Sequence, residues 1–385
     1  MMENVYEKIR RNMNSNWPLK LPKHEKILKL LEYIFPEKEA EVIALFKSPL
    51  MDLKSAKKIA KLLDLSEDEV SSILERMAKK GTILKSGKTR YSMMPIMPGL
   101  FEFYFVAGKS ENIKEAAEVF HDIVDLGLLN EWYNSRYPFF RTVPSSSLPN
   151  KVQSSVREQD TQTIEIDQKI DSGHRILIFE DILKYIEEAS SITVVNCACR
   201  TTSALIGDKC DKPLDVCMAL NFASESLNAY GLGKNLTKEE AIELLKKAED
   251  HGLVHTVINS TDLNSQMFIC NCCTCHCGVL GGLTKFNNPN SFARSNFRPQ
   301  IDVDECKMCG KCIEICPMEA LWHHWPHNKD LRDDFIAIKE NRCIGCGLCA
   351  HHCPTDAIKM VKMFDDTPAN NLFGVFKKIE ETRSH

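Results

Sequence analysis

The chain has 385 residues, of which 43% are hydrophobic and 26% charged, and its formal net charge is −4. These values are typical of a globular protein of two or three domains and exclude a chain that binds polyanions through its overall charge. The first residues contain no apolar segment, and apolar runs such as 176–179 are too short to cross a bilayer. We therefore expect a cytoplasmic protein without membrane contact, in which thiols stay reduced.

The N-terminal half contains no cysteine and predicts an arm, residues 1–24, followed by a helical region with a hairpin, residues 25–105. Apolar periodicity predicts three helices, over 24–35, 52–64 and 67–81. Ser66 and Glu69 form a capping box before the third helix, and a hairpin turn follows at Gly87. This order of elements resembles a winged helix.

Charge decides what such a winged helix would bind. Residues 1–100 hold 19 Lys or Arg and 13 Asp or Glu, a net of 19 − 13 = +6. The turn that would meet the major groove is nevertheless acidic, at 67–69, while Lys79 and Lys80 lie at the far end of the helix. We therefore expect it to dock a protein rather than DNA: a second copy of this chain, the C-terminal half or a partner enzyme.

Two polar or helical segments separate this region from the cysteines. Residues 106–141 predict a helical connector, and residues 142–174 are polar enough to predict a linker. All 17 cysteines follow, between Cys197 and Cys353. Clustered cysteines in a reducing compartment are metal ligands more often than disulfides.

Residues 175–290 predict a cysteine-rich α/β domain with nine thiols. The preferred grouping gives one site to Cys197, Cys199, Cys210 and Cys217, and another to four of the five thiols Cys270, Cys272, Cys273, Cys275 and Cys277. The segments also allow ligands interleaved around one site, one larger iron–sulfur assembly, a cluster with an open iron, or structural zinc. His276 is expected to be incidental.

Residues 291–385 contain two copies of the run C-x2-C-x2-C-x3-C-P, offset by 343 − 306 = 37 residues. This spacing is that of bacterial 4Fe–4S ferredoxins, in which the fourth cysteine of each run ligates the other cluster. The expected ligands are Cys306, Cys309, Cys312 and Cys353 for the first cluster, and Cys343, Cys346, Cys349 and Cys316 for the second. Residues 300–362 resemble the two-cluster bacterial ferredoxin domain.

The cysteine-rich segments 197–217 and 269–280, together with the two runs, resemble cytosolic 4Fe–4S dicluster-domain proteins of anaerobes. The resemblance implies an α+β multidomain protein that passes single electrons between a low-potential donor and a partner oxidoreductase. No nucleotide, flavin or nucleophile fingerprint is present, so a component of an oxidoreductase is favoured over a stand-alone enzyme. Two alternatives remain open: a redox-sensing winged-helix regulator, and a reductase with substrate at an upstream iron–sulfur site.

Overall fold

The computed structural model describes residues 4–152, 176–324 and 334–383, and these ranges form a mixed α+β protein. Its N-terminal part contains α1 (Val5–Met13), α2 (Glu25–Ile34), α3 (Glu37–Ile43), β1 (Lys54–Ser55), α4 (Ala56–Leu63), α5 (Glu67–Lys79), β2 (Leu84–Ser86), β3 (Arg90–Ser92), α6 (Phe101–Ala107) and α7 (Ile113–Asp125). The strands form an antiparallel sheet in the order β1-β3-β2. Apolar stripes on the helices fill the core beneath this sheet.

Helix α5 begins where the sequence predicts it. Ser66 Oγ accepts a hydrogen bond of 3.2 Å from the backbone N–H of Glu69, which satisfies one free donor of the first turn. Val70, Ile73 and Leu74 face the core. The following hairpin turns at Gly87, whose φ of +63° is a conformation that glycine adopts without strain.

The N-terminal segment is a packed helix rather than an arm. Ile9 and Met13 of α1 are buried, and the indole N–H of Trp17 donates to the Met97 carbonyl at 3.0 Å. The C-terminal helix α16 (Leu372–Thr382) returns to this place, where the rings of Phe376 and Trp17 meet edge to face at 4.8 Å. The two ends of the described chain therefore share one core.

The central part is built on a six-stranded sheet in the order β4-β8-β9-β6-β5-β7. Its elements are β4 (Phe140–Thr142), α8 (Leu148–Lys151), α9 (Ile182–Glu188), β5 (Ile192–Val195), α10 (Ala198–Leu205), β6 (Cys217–Leu220), α11 (Asn221–Ala229), β7 (Lys234–Asn235), α12 (Lys238–Asp250), β8 (Val254–Ile258), β9 (Phe268–Cys272) and α13 (Gly278–Thr284). Neighbouring strands all pair antiparallel. This central sheet therefore lacks the parallel crossovers of an α/β fold.

The segment predicted as a polar linker starts inside this sheet. Strand β4 pairs with β8, and the backbone N–H of Ser145 donates to the Cys346 carbonyl at 2.9 Å. The N–H of Ser146 donates to the buried Glu249 carboxylate at 2.6 Å. The serines that made the segment look solvated thus satisfy buried polar groups. The rest of the predicted linker, from 153 onward, lies outside the described residues.

The C-terminal part consists of β10 (Phe297–Ile301), α14 (Lys311–Ile315), β11 (Leu321–His324), β12 (Phe335–Ile338), α15 (Leu348–His351), β13 (Ile358–Lys362) and then α16. It forms two antiparallel pairs, β10 with β13 and β11 with β12. Among the described residues, no helix is both long and apolar enough to cross a bilayer.

The N-terminal helices and hairpin contact the central part directly. Strand β2 packs on α11, and the carboxylate of Glu75 and the phenol of Tyr91 lie close enough to Tyr230 to influence its titration. Burial and these neighbours raise the pKa of Tyr230 well above its ordinary value. The face of the hairpin that carries Tyr91 is therefore turned toward α11.

A buried polar network joins the central and C-terminal parts. His255 Nε2 lies 2.8 Å from the Glu249 carboxylate, and His255 Nδ1 lies 2.6 Å from the side-chain oxygen of Asn271. Both neighbours of the imidazole are side-chain oxygens that can accept a hydrogen bond. Burial is the largest influence and would raise the pKa of Glu249, but the interactions with His255, the Ser146 N–H and His351 together outweigh it and lower that pKa to about 2. His351, in α15, contacts the same carboxylate at 3.4 Å.

We predict that Glu249→Gln destabilises the protein by roughly 3–5 kcal/mol, because it removes the buried carboxylate that pairs with His255 and accepts from the Ser146 N–H. The measurement is the free energy of unfolding in urea. Glu243→Gln, on the exposed side of the same helix, is the control and is expected to stay within about 0.5 kcal/mol of the parent. Equal losses of unfolding free energy in the two variants would show that the buried Glu249–His255 pair stabilises the protein no more than an exposed carboxylate does.

Candidate metal centres

Six of the nine upstream thiols form a closed ring. Cys197 precedes α10 and Cys199 lies in its first turn, while Cys277 precedes α13. The other three come from neighbouring strands: Cys217 begins β6, and Cys270 and Cys272 share one face of β9. Each thiol shifts the pKa of the next in the order Cys197, Cys199, Cys277, Cys272, Cys270, Cys217 and back to Cys197, so the six are neighbours in a closed order.

The ring surrounds a space rather than a single point. All six thiols line a cavity of about 120 Å³. Within the described ranges, no three of them have sulfur atoms that all lie within 4.8 Å of one another. One tetrahedral ion, with bonds of about 2.3 Å to sulfur, would draw its thiolates to about 3.8 Å from each other. The ring therefore fits a polynuclear cluster better than a single ion.

The wall opposite the thiols comes from the N-terminal part. Met97, Phe103 and Val106 line it with apolar surface, and Glu102 adds a carboxyl group. Burial raises the pKa of Glu102 to about 7, although the backbone N–H of Gly99 donates to its carboxylate at 2.7 Å and opposes the shift. Segment 97–106 thus closes the cavity with a dry wall and one carboxyl group that titrates near neutral pH.

Arg200 supplies a buried cation beside the ring. Only 1% of its surface is exposed, and it donates one hydrogen bond, of 3.1 Å, to the backbone carbonyl of Asn271. Its Nε and Nη2 atoms have no partner among the described residues at hydrogen-bond distance. Burial would lower the pKa of the guanidinium, but the nearby thiols of Cys197, Cys217 and Cys273 raise it above its ordinary value. A buried cation without a carboxylate requires anions here, and thiolates on a cluster provide them.

The ring thiols shift one another's pKa in opposite directions, downward at Cys217 and Cys272 and upward at the other four. Hydrogen bonds from Cys197 and Cys270 lower the pKa of Cys217 well below its ordinary value. Hydrogen bonds from Cys270 and Cys277 lower the pKa of Cys272 to about 7. Since the thiolate is the ligand, these two positions are prepared for coordination.

The remaining upstream thiols form a second, tighter group. Ligand atoms of Cys210, Cys273, Cys275 and His276 all lie within 4.8 Å of one another, and the sulfur atoms of Cys210 and Cys275 are 3.4 Å apart. This differs from the expected grouping, in which Cys210 joined Cys197, Cys199 and Cys217. The loop after α10 carries Cys210 away from the ring, and the chain leaving β9 turns Cys273 to the other side. His276, expected to be incidental, belongs to this group; its place between Cys275 and Cys277 was the only signal.

The two C-terminal runs bring their cysteines together in crossed sets. The neighbours that influence Cys312 are Cys306, Cys309 and Cys353, whereas Cys316 is a neighbour of Cys343, Cys346 and Cys349. Gly310 and Gly347 each have a φ of +76°, which allows the tight loops before α14 and α15. The spacing groups the same cysteines, and their role as cluster ligands stays a prediction.

Comparison with known proteins identifies this part of the chain. Residues 305–357 match the family model of the 4Fe-4S dicluster domain. The chain contains a 4Fe-4S dicluster domain. A search of the curated proteins gives no match for the chain. The residues fit two 4Fe–4S clusters, because eight thiols form two separate sets of four. The thiols of each set lie farther apart than the ligand atoms of the Cys210 group.

One of the two dicluster positions is connected to the ring. The Cys346 carbonyl accepts from Ser145, and the neighbouring Val143 N–H donates to the His255 carbonyl at 3.1 Å. His255 lies on β8, which pairs with β9 and its ring thiols. The other position holds Cys309, which is exposed, and Cys306, which is half-buried. The dicluster domain thus has one solvent-facing side and one side attached to the sheet.

We predict that Cys316→Ala impairs the cluster held by Cys343, Cys346 and Cys349, because its thiol lies in that set. Cys353→Ala, the matched substitution in the second run, should impair the cluster of Cys306, Cys309 and Cys312. EPR spectra of the two reduced variants, prepared without oxygen, distinguish the two losses. If each variant loses the cluster of its own run, the crossed arrangement is wrong.

Proposed function

We propose that this protein is a multi-cluster electron-transfer protein that carries single electrons between the dicluster domain and the six-thiol ring. The observation that carries the proposal is the ring itself, whose six thiols line one cavity and which is linked through β8 and β9 to the inner dicluster position. The clusters supply the one-electron chemistry when bound. The protein sets their potentials through burial, hydrogen bonds and charge.

The solvent exposure of the dicluster cysteines supports a direction for electron transfer. The set containing Cys309 faces solvent and is the position that a redox partner can approach. The set containing Cys316 lies between it and the sheet, and the ring is closed off by segment 97–106. We propose that an external donor or acceptor, an oxidoreductase in a reducing compartment, exchanges electrons at the exposed side.

We propose that the N-terminal region is a winged helix whose role is docking inside this chain. The order of helices and hairpin and the sheet order β1-β3-β2 support the winged helix. Two of its basic residues are engaged within the protein: Lys80 pairs with the buried Glu39 at 2.9 Å, and Lys85 pairs with Glu75. Because β2 already packs on α11, the hairpin is turned toward the protein and DNA binding is not favoured.

The metal content tests the ring assignment. The dicluster domain accounts for about eight irons per chain, and a cluster of four or more irons in the ring gives about twelve or more. The double variant Cys217→Ser/Cys272→Ser should fall back to about eight, because it removes the two thiols best prepared as thiolates. The measurement is iron and sulfide analysis of protein purified without oxygen. A parent protein with only eight irons would contradict the proposal.

The redox role of the ring is tested through Arg200. A buried positive charge favours the reduced, more negative state of a nearby cluster. At an effective dielectric constant of about 20, a unit charge several ångströms away contributes roughly 2–4 kcal/mol, or roughly 80–160 mV for one electron. We predict that Arg200→Gln lowers one midpoint potential by about this amount, measured by EPR-monitored titration.

Arg200→Lys keeps the charge and is the matched control, expected to shift that potential much less. The dicluster signals should stay unchanged in both variants. A midpoint potential that is the same in Arg200→Gln and the parent would show that Arg200 does not face a redox centre.

A further inference from the structure

We propose that Cys210, Cys273, Cys275 and His276 bind a single zinc ion in a closed tetrahedral site. This site is distinct from the electron-carrying clusters, because three cysteines and one histidine are a donor set of structural zinc. All four ligands come from the protein, so no position remains open for a substrate.

The ligand spacing supports one ion rather than a cluster. In a cubane each cysteine ligates a different iron, so the four sulfur atoms stay well apart. Within the described residues, neither dicluster set has three sulfur atoms that all lie within 4.8 Å of one another. The 3.4 Å between the sulfur atoms of Cys210 and Cys275 is close to the edge of about 3.8 Å expected for a zinc tetrahedron. The wide spacing of the dicluster thiols and the close spacing of the Cys210 group therefore distinguish the cluster positions from the proposed zinc site.

The histidine is oriented as a ligand. His276 Nε2 lies 3.1 Å from the Asp208 carboxylate, which fixes this nitrogen as the protonated one. Its Nδ1 atom is buried and has no partner among the described residues. A histidine that donates one N–H to a carboxylate and presents its other nitrogen is the common arrangement of a zinc ligand.

The position of the site indicates what zinc would do. It joins the loop after α10, through Cys210, to the loop between β9 and α13, through Cys273 and Cys275. The second loop connects Cys272 and Cys277, two thiols of the ring. Zinc would therefore hold two ring ligands in place. Three thiolates and Zn²⁺ carry a net negative charge, which Arg200 beside Cys273 offsets.

The test is metal analysis of the full-length protein, prepared without oxygen. We expect about one zinc per chain in the parent protein and none in Cys210→Ser or Cys275→Ser. The control is His251→Gln, which replaces an exposed histidine at the end of α12 and should keep the zinc. Asp208→Asn should weaken zinc binding about 10-fold or more in a chelator titration, because the supporting carboxylate is lost.

Zinc-edge X-ray absorption of the parent protein keeps the proposal testable even if a variant fails to fold. It should give three sulfur ligands at about 2.3 Å and one nitrogen at about 2.0 Å. The proposal would be overturned if the parent protein contained no zinc, or if Cys210→Ser kept its zinc. It would also be overturned if Cys210→Ser lost about four irons. The iron content of the ring and dicluster positions is measured separately, so failure of the zinc site leaves the electron-transfer proposal intact.

Discussion

The alternation of side chains along β9 is the constraint on which the rest of the structure depends. Cys270 and Cys272 lie on one face and join the ring, while Asn271 lies on the other and contacts His255. A shift of one residue in the pairing with β8 would exchange these faces and destroy both arrangements. The Asn271 amide donates to the Val216 carbonyl at 2.5 Å, which leaves its oxygen facing His255. One strand therefore connects the ring to the polar network beneath the dicluster domain.

Buried polar groups hold the central part together and tie it to the C-terminal part. Within the central part, Arg200 stands among thiols and His255 beside Glu249, and His351 of the C-terminal part contacts the same Glu249 carboxylate. Such charges are costly to bury and persist only where partners are fixed. The N-terminal part contributes in a different way, because its segment 97–106 lines the cavity beside the ring with apolar surface, which strengthens electrostatic interactions there.

The sequence predicts some features well because their signals are local. The four-cysteine runs, Gly310 and Gly347 specify the dicluster loops, and the Ser66 cap specifies the start of α5. The division of the upstream thiols depends on which strands are neighbours, and no local pattern reveals that β6 lies beside β9. Arg200 directly follows the Cys197–Cys199 pair, yet its role appears only once burial is known. The polar stretch around Ser146 predicts a linker for the same reason, because the buried partner of Ser146, Glu249, is distant in sequence.

Anomalous diffraction tests the central claim most directly. Crystals grown without oxygen, with data collected on both sides of the iron and zinc absorption edges, locate each metal within one structure. The account predicts iron at both dicluster positions and inside the six-thiol ring, and zinc between Cys210 and His276. A ring that is empty or filled by zinc, with iron confined to the dicluster domain, would contradict it.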